Sequence, residues 1–214
     1  MLTLRATDKM RVILGTVYEI SIIRQVIVES WPKGIQEETF KMSGVHQFKL
    51  KGNPFSVTSS STDATHSRKF GGNILHRLYR DGWRLQVAGD FTQTTALTTW
   101  IFKKDPNAVC PSVPFRIVGL SSWDSLMVPN GPMERHQILK DAVEESWPSG
   151  IQKWRYENND ILKIKMKGNP WHTNGEDTVH ARVILHTLVN ELLIRGWKLN
   201  GNSNLRSSAN TLFF

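Results

Sequence analysis

The chain has 214 residues, 39% of them apolar, and 27 Lys and Arg against 19 Asp and Glu, for a net charge of +8 and a pI near 9.7. That length supplies one large core or two small ones, and no window approaches the roughly 18 uninterrupted apolar residues that a membrane-spanning helix needs. A single cysteine, Cys110, excludes an internal disulfide, and charges at Arg5, Asp8, Lys9 and Arg11 stand where a secretory signal would be apolar, so the chain reads as soluble and cytoplasmic or nuclear.

Met10-Arg11-Val12-Ile13-Leu14 is the first β-branched run and predicts a strand. An amphipathic helix follows, with Ile22, Ile23, Val26, Ile27 and Trp31 on one stripe. Pro32 and Gly34 end it and turn the chain. Two strands are expected over residues 35–42 and 45–51, joined at Ser43-Gly44. On the second, Phe48 and Leu50 face the core while Lys49 and Lys51 face out. After Gly52-Asn53-Pro54-Phe55 a polar loop leads to a second helix that carries Phe70, Ile74, Leu75, Leu78 and Tyr79 and stops at Gly82-Trp83. A strand then leaves at 84–87 and another returns at 99–102.

The same order then recurs. Residues 29–55 match 145–171 with twelve of twenty-seven positions identical at an offset of 116. Phe115-Arg116-Ile117-Val118 opens the second copy. Ile138, Leu139, Ala142, Val143 and Trp147 form its helix stripe, and strands are expected at 151–157 and 160–167 around a turn at Asn158-Asn159-Asp160. The second helix carries Ile184, Leu188, Val189, Leu192 and Leu193 and ends at Gly196-Trp197. Strands at 198–200 and 211–214 close the copy. The expected fold is therefore α+β: two tandem ferredoxin-like repeats of β-α-β-β-α-β plus an extra strand, each an antiparallel sheet with two helices on one face. Repeat 1 is assigned to 1–104, a Pro-rich linker to 105–114 and repeat 2 to 115–214.

The polar residues that recur suggest two kinds of site. Lys49, Lys51 and Arg84, with Lys163, Lys165, Lys167 and Lys198, form a basic sheet surface in each repeat. This suits contact with phosphates as well as it suits plain solvation. Asp63-x-x-His66-x-Arg68 and Asp177-x-x-His180-x-Arg182 stand at the starts of the second helices, with each Asp placed as an N-cap. His66, His180, Arg68 and Arg182 are candidates for a small anionic ligand held at the helix start. A metal site from His172, Asp177 and His180 is disfavoured because repeat 1 has Phe55 and Ser56 near the position of His172. Cys110 sits among prolines with no group to activate it, and Gly71-Gly72 lacks a phosphate-loop context. No cofactor is implied. Exposed aromatics on the central strands, which read single-stranded bases, are not expected, since Phe40 and Phe48 alternate toward the core.

Nothing in the chain argues for an enzyme. The expected function is a non-enzymatic binding or scaffold protein that engages a polyanion (nucleic acid backbone, phospholipid headgroup or acidic protein) through its basic sheet faces. The alternatives are a homo-oligomer pairing through exposed sheets or edges, and a small-ligand sensor or enzyme with a site in a cleft between the repeats near His66 and His180.

Overall fold

Period-two alternation begins at the N-terminus. β1 (Leu2–Arg5) and β2 (Lys9–Ile13) pair antiparallel, so that Leu2, Leu4, Met10 and Val12 are buried on one face. Thr3, Arg5, Lys9 and Arg11 take the other face. The computed structural model describes residues 1–56, 61–91, 96–107, 109, 112–129, 133–157, 161–206 and 209–214. The Asn158-Asn159-Asp160 turn and Cys110 lie outside these.

Helix α1 (Val17–Ser30) starts at a capping box. Thr16 accepts from the Tyr18 N–H, and Glu19 reaches back to the Thr16 backbone. Then come β3 (Ile35–Met42), β4 (Val45–Leu50), α2 (Ser61–Arg80), β5 (Trp83–Gly89) and β6 (Ala96–Lys104). The sheet order is β3-β4-β2-β1-β6-β5, antiparallel throughout. Within it β3-β4-β2 is a split β-α-β closed by α1, and the pair β1 and β6 widens the sheet between β2 and β5.

The second repeat gives β7 (Ile117–Ser121), β8 (Ser125–Pro129), α3 (Met133–Ser146), β9 (Ile151–Glu157), β10 (Ile161–Met166), α4 (Asp177–Ile194), β11 (Gly201–Arg206) and β12 (Ala209–Phe213). Its sheet order, β11-β12-β7-β8-β10-β9, repeats that of the first. Its core joins Leu126, Val128, Leu162, Ile164 and Met166 of the sheet to Leu139, Val143, Ile184 and Leu188 of the helices. By compactness the chain divides into residues 1–115 with 201–211, and 116–200 with 212–214. Within the first unit the Trp100 indole donates to Ser203 Oγ at 2.9 Å.

Tandem α+β repeats with two helices each are what the sequence implies and what the structure shows. Each repeat has one strand more than expected, because four residues, Leu2–Arg5, suffice for β1 where both ladder partners are supplied by the fold. The strand expected at 115–118 is the counterpart of β1 rather than of Met10–Leu14, whose counterpart is β8. The strand expected at 198–200 begins instead at Gly201. Among the described residues no helix is long and apolar enough to cross a membrane.

Candidate anion-binding faces

The duplicated motif is a clasp. Trp31 and Trp147 are buried, and each indole donates across twenty residues to a lysine carbonyl: Trp31 to Lys51 at 3.0 Å and Trp147 to Lys167 at 2.8 Å. The tryptophan carbonyls accept from Gly34 and Gly150, and the glycine carbonyls accept from the Lys51 and Lys167 N–H groups. Gly34 and Gly150 sit at φ +71°, where a side chain would be strained. The Trp-Pro-x-Gly and Lys-Gly-Asn-Pro halves therefore recur together because they bond to one another. The Lys51 and Lys167 side chains remain exposed.

Residues directly opposite in an antiparallel pair share a face, so the ladder locates the cations. In the first sheet one rung runs Glu37, Lys49, Lys9, Arg5, and the next runs Thr39, Gln47, Arg11, Thr3. All lie opposite the face that carries Met10, Val12 and Phe48, where the helices pack. Arg5, Lys9, Arg11 and Lys49 are half-buried. Arg11 donates to Gln47 Oε1 at 2.8 Å, and burial, then the adjacent Arg5 charge, lowers its pKa. In the second sheet Lys163 faces Arg155 and Lys165 faces Lys153. These four line a polar depression of about 210 Å³ together with Ser122, Asp124 and Ser125. Glu157 pairs with Arg155 at 2.5 Å and with Lys163 at 3.6 Å, and its bond to Arg155 holds its pKa below the ordinary carboxylate value. Asp124 pairs with Lys165 at 3.3 Å.

The residues singled out from sequence separate into those that join these faces and those that do not. Lys49, Lys163 and Lys165 join them. Arg84 donates to the Tyr79 and Trp83 carbonyls and to that of Val109, with its guanidinium 4.5 Å over the Tyr79 ring, so it ties the end of α2 to the following segment. Arg68 is fully buried and donates to the Ala64 carbonyl one turn back, whereas Arg182 is exposed. The Asp-x-x-His-x-Arg pattern thus makes no common surface. Neither aspartate precedes its helix as the N-cap: Asp63 lies inside the first turn of α2 and binds Lys33 at 2.7 Å, and Asp177 is the first residue of α4. His66 and His180 are half-buried on their helices, His180 edge-on to Trp147. Lys198 is exposed ahead of β11, off the sheet. Among the described residues no three His, Cys, Asp or Glu gather as a metal site.

Sequence reasoning missed Arg5, which needs β1 to be placed, Lys9 and Arg11, which the pairing of β2 with β4 sets beside Lys49 and Gln47, and Lys153 and Arg155. The last two alternate along β9 in the same way as Lys163 and Lys165 along β10, a signal that was readable. Phe40 lies on the helix side, as its alternation implies, but is 78% exposed on β3, an edge strand of the sheet.

One domain-family model matches the chain twice, over residues 1–103 and 114–214. The chain belongs to that family. It carries the family's domain as a tandem pair, and the matched spans contain the two clasps and the two basic faces. Neither a curated protein nor a solved structure matches it.

Proposed function

We propose that the protein is a non-enzymatic binding module that engages a polyanionic partner through the cation-bearing faces of its two sheets. The observation that carries this reading is the register. It gathers Arg5, Lys9, Arg11 and Lys49 on one face, and Lys153, Arg155, Lys163 and Lys165 on the equivalent face of the second sheet. Solvation alone asks only for scattered charge, whereas cations placed opposite cations repel and gain when an anion lies between them. Lysine and arginine at such positions contact phosphate or sulfate by charge and donated hydrogen bonds, with no call on sequence.

The test is binding to heparin and to duplex DNA as salt rises. With about four cations engaged, affinity for DNA falls about a hundredfold between roughly 50 and 200 mM salt. A fall of less than about threefold overturns the reading. A second reading, self-association, is supported by β3: it is an edge strand on which Phe40 and Met42 are 78% and 70% exposed. Sedimentation over a range of concentrations tests it, and a strict monomer rejects it.

A further inference from the structure

The two repeats act as controls for one another at the same two rungs. In the first sheet these hold Thr39 opposite Gln47 and Glu37 opposite Lys49, a neutral pair and a pair of opposite charges. In the second they hold Arg155 opposite Lys163 and Lys153 opposite Lys165. Like charges directly opposite destabilise a strand pair, and here two such pairs are consecutive on one face. The local carboxylates offset only part of this. Glu157 serves Arg155 and Lys163, Asp124 serves Lys165, and among the described residues no carboxylate meets Lys153. Four cations against two carboxylates leave an excess of two positive charges around a concave space of about 210 Å³.

We infer that this depression on β9 and β10 is a site for a phosphomonoester group of a compact phosphorylated molecule. The inference rests on the proposed polyanion binding and narrows it to a ligand for one repeat. A phosphomonoester carries a charge of about −1.5 to −2 at neutral pH and three acceptor oxygens, which matches the uncompensated charge. Arg155, whose Nε and Nη2 already donate to Glu157, supplies its remaining guanidinium N–H groups, and Lys153, Lys163 and Lys165 supply point charges from both strands. Ser122 also lines the depression and carries a hydroxyl that can donate. The space exceeds one phosphate and admits the atoms that carry it.

The full chain is titrated with inositol hexakisphosphate by calorimetry, and in parallel with vesicles of neutral lipid with or without phosphatidylinositol bisphosphate. The parent, a Lys153→Ala/Lys163→Gln variant and an Arg182→Ala/Lys198→Ala variant, whose exposed cations lie off the sheet faces, are compared. Saturable binding is expected, weakened at least about tenfold in the first variant and changed by less than about threefold in the second. Binding of the soluble compound assigns a soluble source. Binding to the phosphoinositide vesicles alone, lost in the first variant, assigns a lipid headgroup. The first variant alone relieves the Lys153 and Lys165 repulsion, so it unfolds no earlier than the parent without ligand. Equal losses in both variants, or vesicle binding that survives the first, overturn the site. Salt-sensitive heparin binding with no response to either phosphomonoester overturns the inference and leaves the wider reading standing. If heparin also fails to bind, both fall.

Discussion

Replacing Trp147 with Phe tests the clasp. The change deletes the N–H that donates to the Lys167 carbonyl at 2.8 Å and vacates part of the space of a side chain only 4% exposed. The hydrogen bond is worth about 1 kcal/mol net, and a partly refilled core space costs about 1–2 kcal/mol more. The sum, about 2–3 kcal/mol, moves a urea midpoint down by about 1 M, given typical denaturant slopes. Far-UV circular dichroism during urea titration follows it without depending on tryptophan emission. Trp31→Phe is the matched experiment in the first repeat, where the bond to Lys51 is 3.0 Å. A midpoint within about 0.2 M of the parent in both variants would show that the duplicated residues are not holding helix exit to strand end, and would refute the clasp.

Two further predictions concern pH. Hydrogen bonds from Arg24 hold the Glu38 carboxyl below its ordinary value, with His46 a further contributor. The folded carboxyl titrates below the unfolded one, so its stabilisation is complete above the ordinary carboxylate value and is lost as pH falls through the depressed one. Thermal midpoints of Glu38→Gln and parent should differ most near neutral pH and converge in acid, and a constant gap would contradict the ion pair. His136 is 1% exposed, burial lowers its pKa, and among the described residues neither ring nitrogen has a hydrogen-bond partner. Below the ordinary histidine value of about 6.5 the unfolded chain takes up the proton first, so acidification costs stability. The first repeat has Ile20 at this position. His136→Ile should therefore gain more stability at about pH 5.5 than at about pH 8, while an equal gain at both would assign the effect to packing alone.

The duplication made the architecture legible, since a motif found twice at one offset locates two copies of every neighbouring helix and strand. Trp31 and Trp147 were readable as core plugs, but their bonds to Lys51 and Lys167 were not, because a side chain to backbone bond leaves no periodic trace. β1 escaped notice for a related reason: four residues flanked by charges gain strand character from β2 and β6, not from their own pattern. The basic faces were half legible. Alternation marked Lys49, Lys163 and Lys165, yet only the ladder shows that Lys9 lies beside Lys49 and Arg155 beside Lys163. Arg68 illustrates the opposite limit, as a charge on a helix reads as solvent-facing until packing buries it.

The pairing of β1 with β6 has a consequence for how the chain is made. Residues 3 and 99 meet in the middle of the sheet, 96 positions apart, whereas the tryptophan clasp closes a loop of 20. At a synthesis rate of about 5–20 residues per second, the helix, the hairpin and their clasp can assemble while β1 waits about 5–20 s for its partner. Through that interval the centre of the future sheet is an open edge. A repeat cut short at any point before β6 leaves that edge bare and open to pairing with another chain.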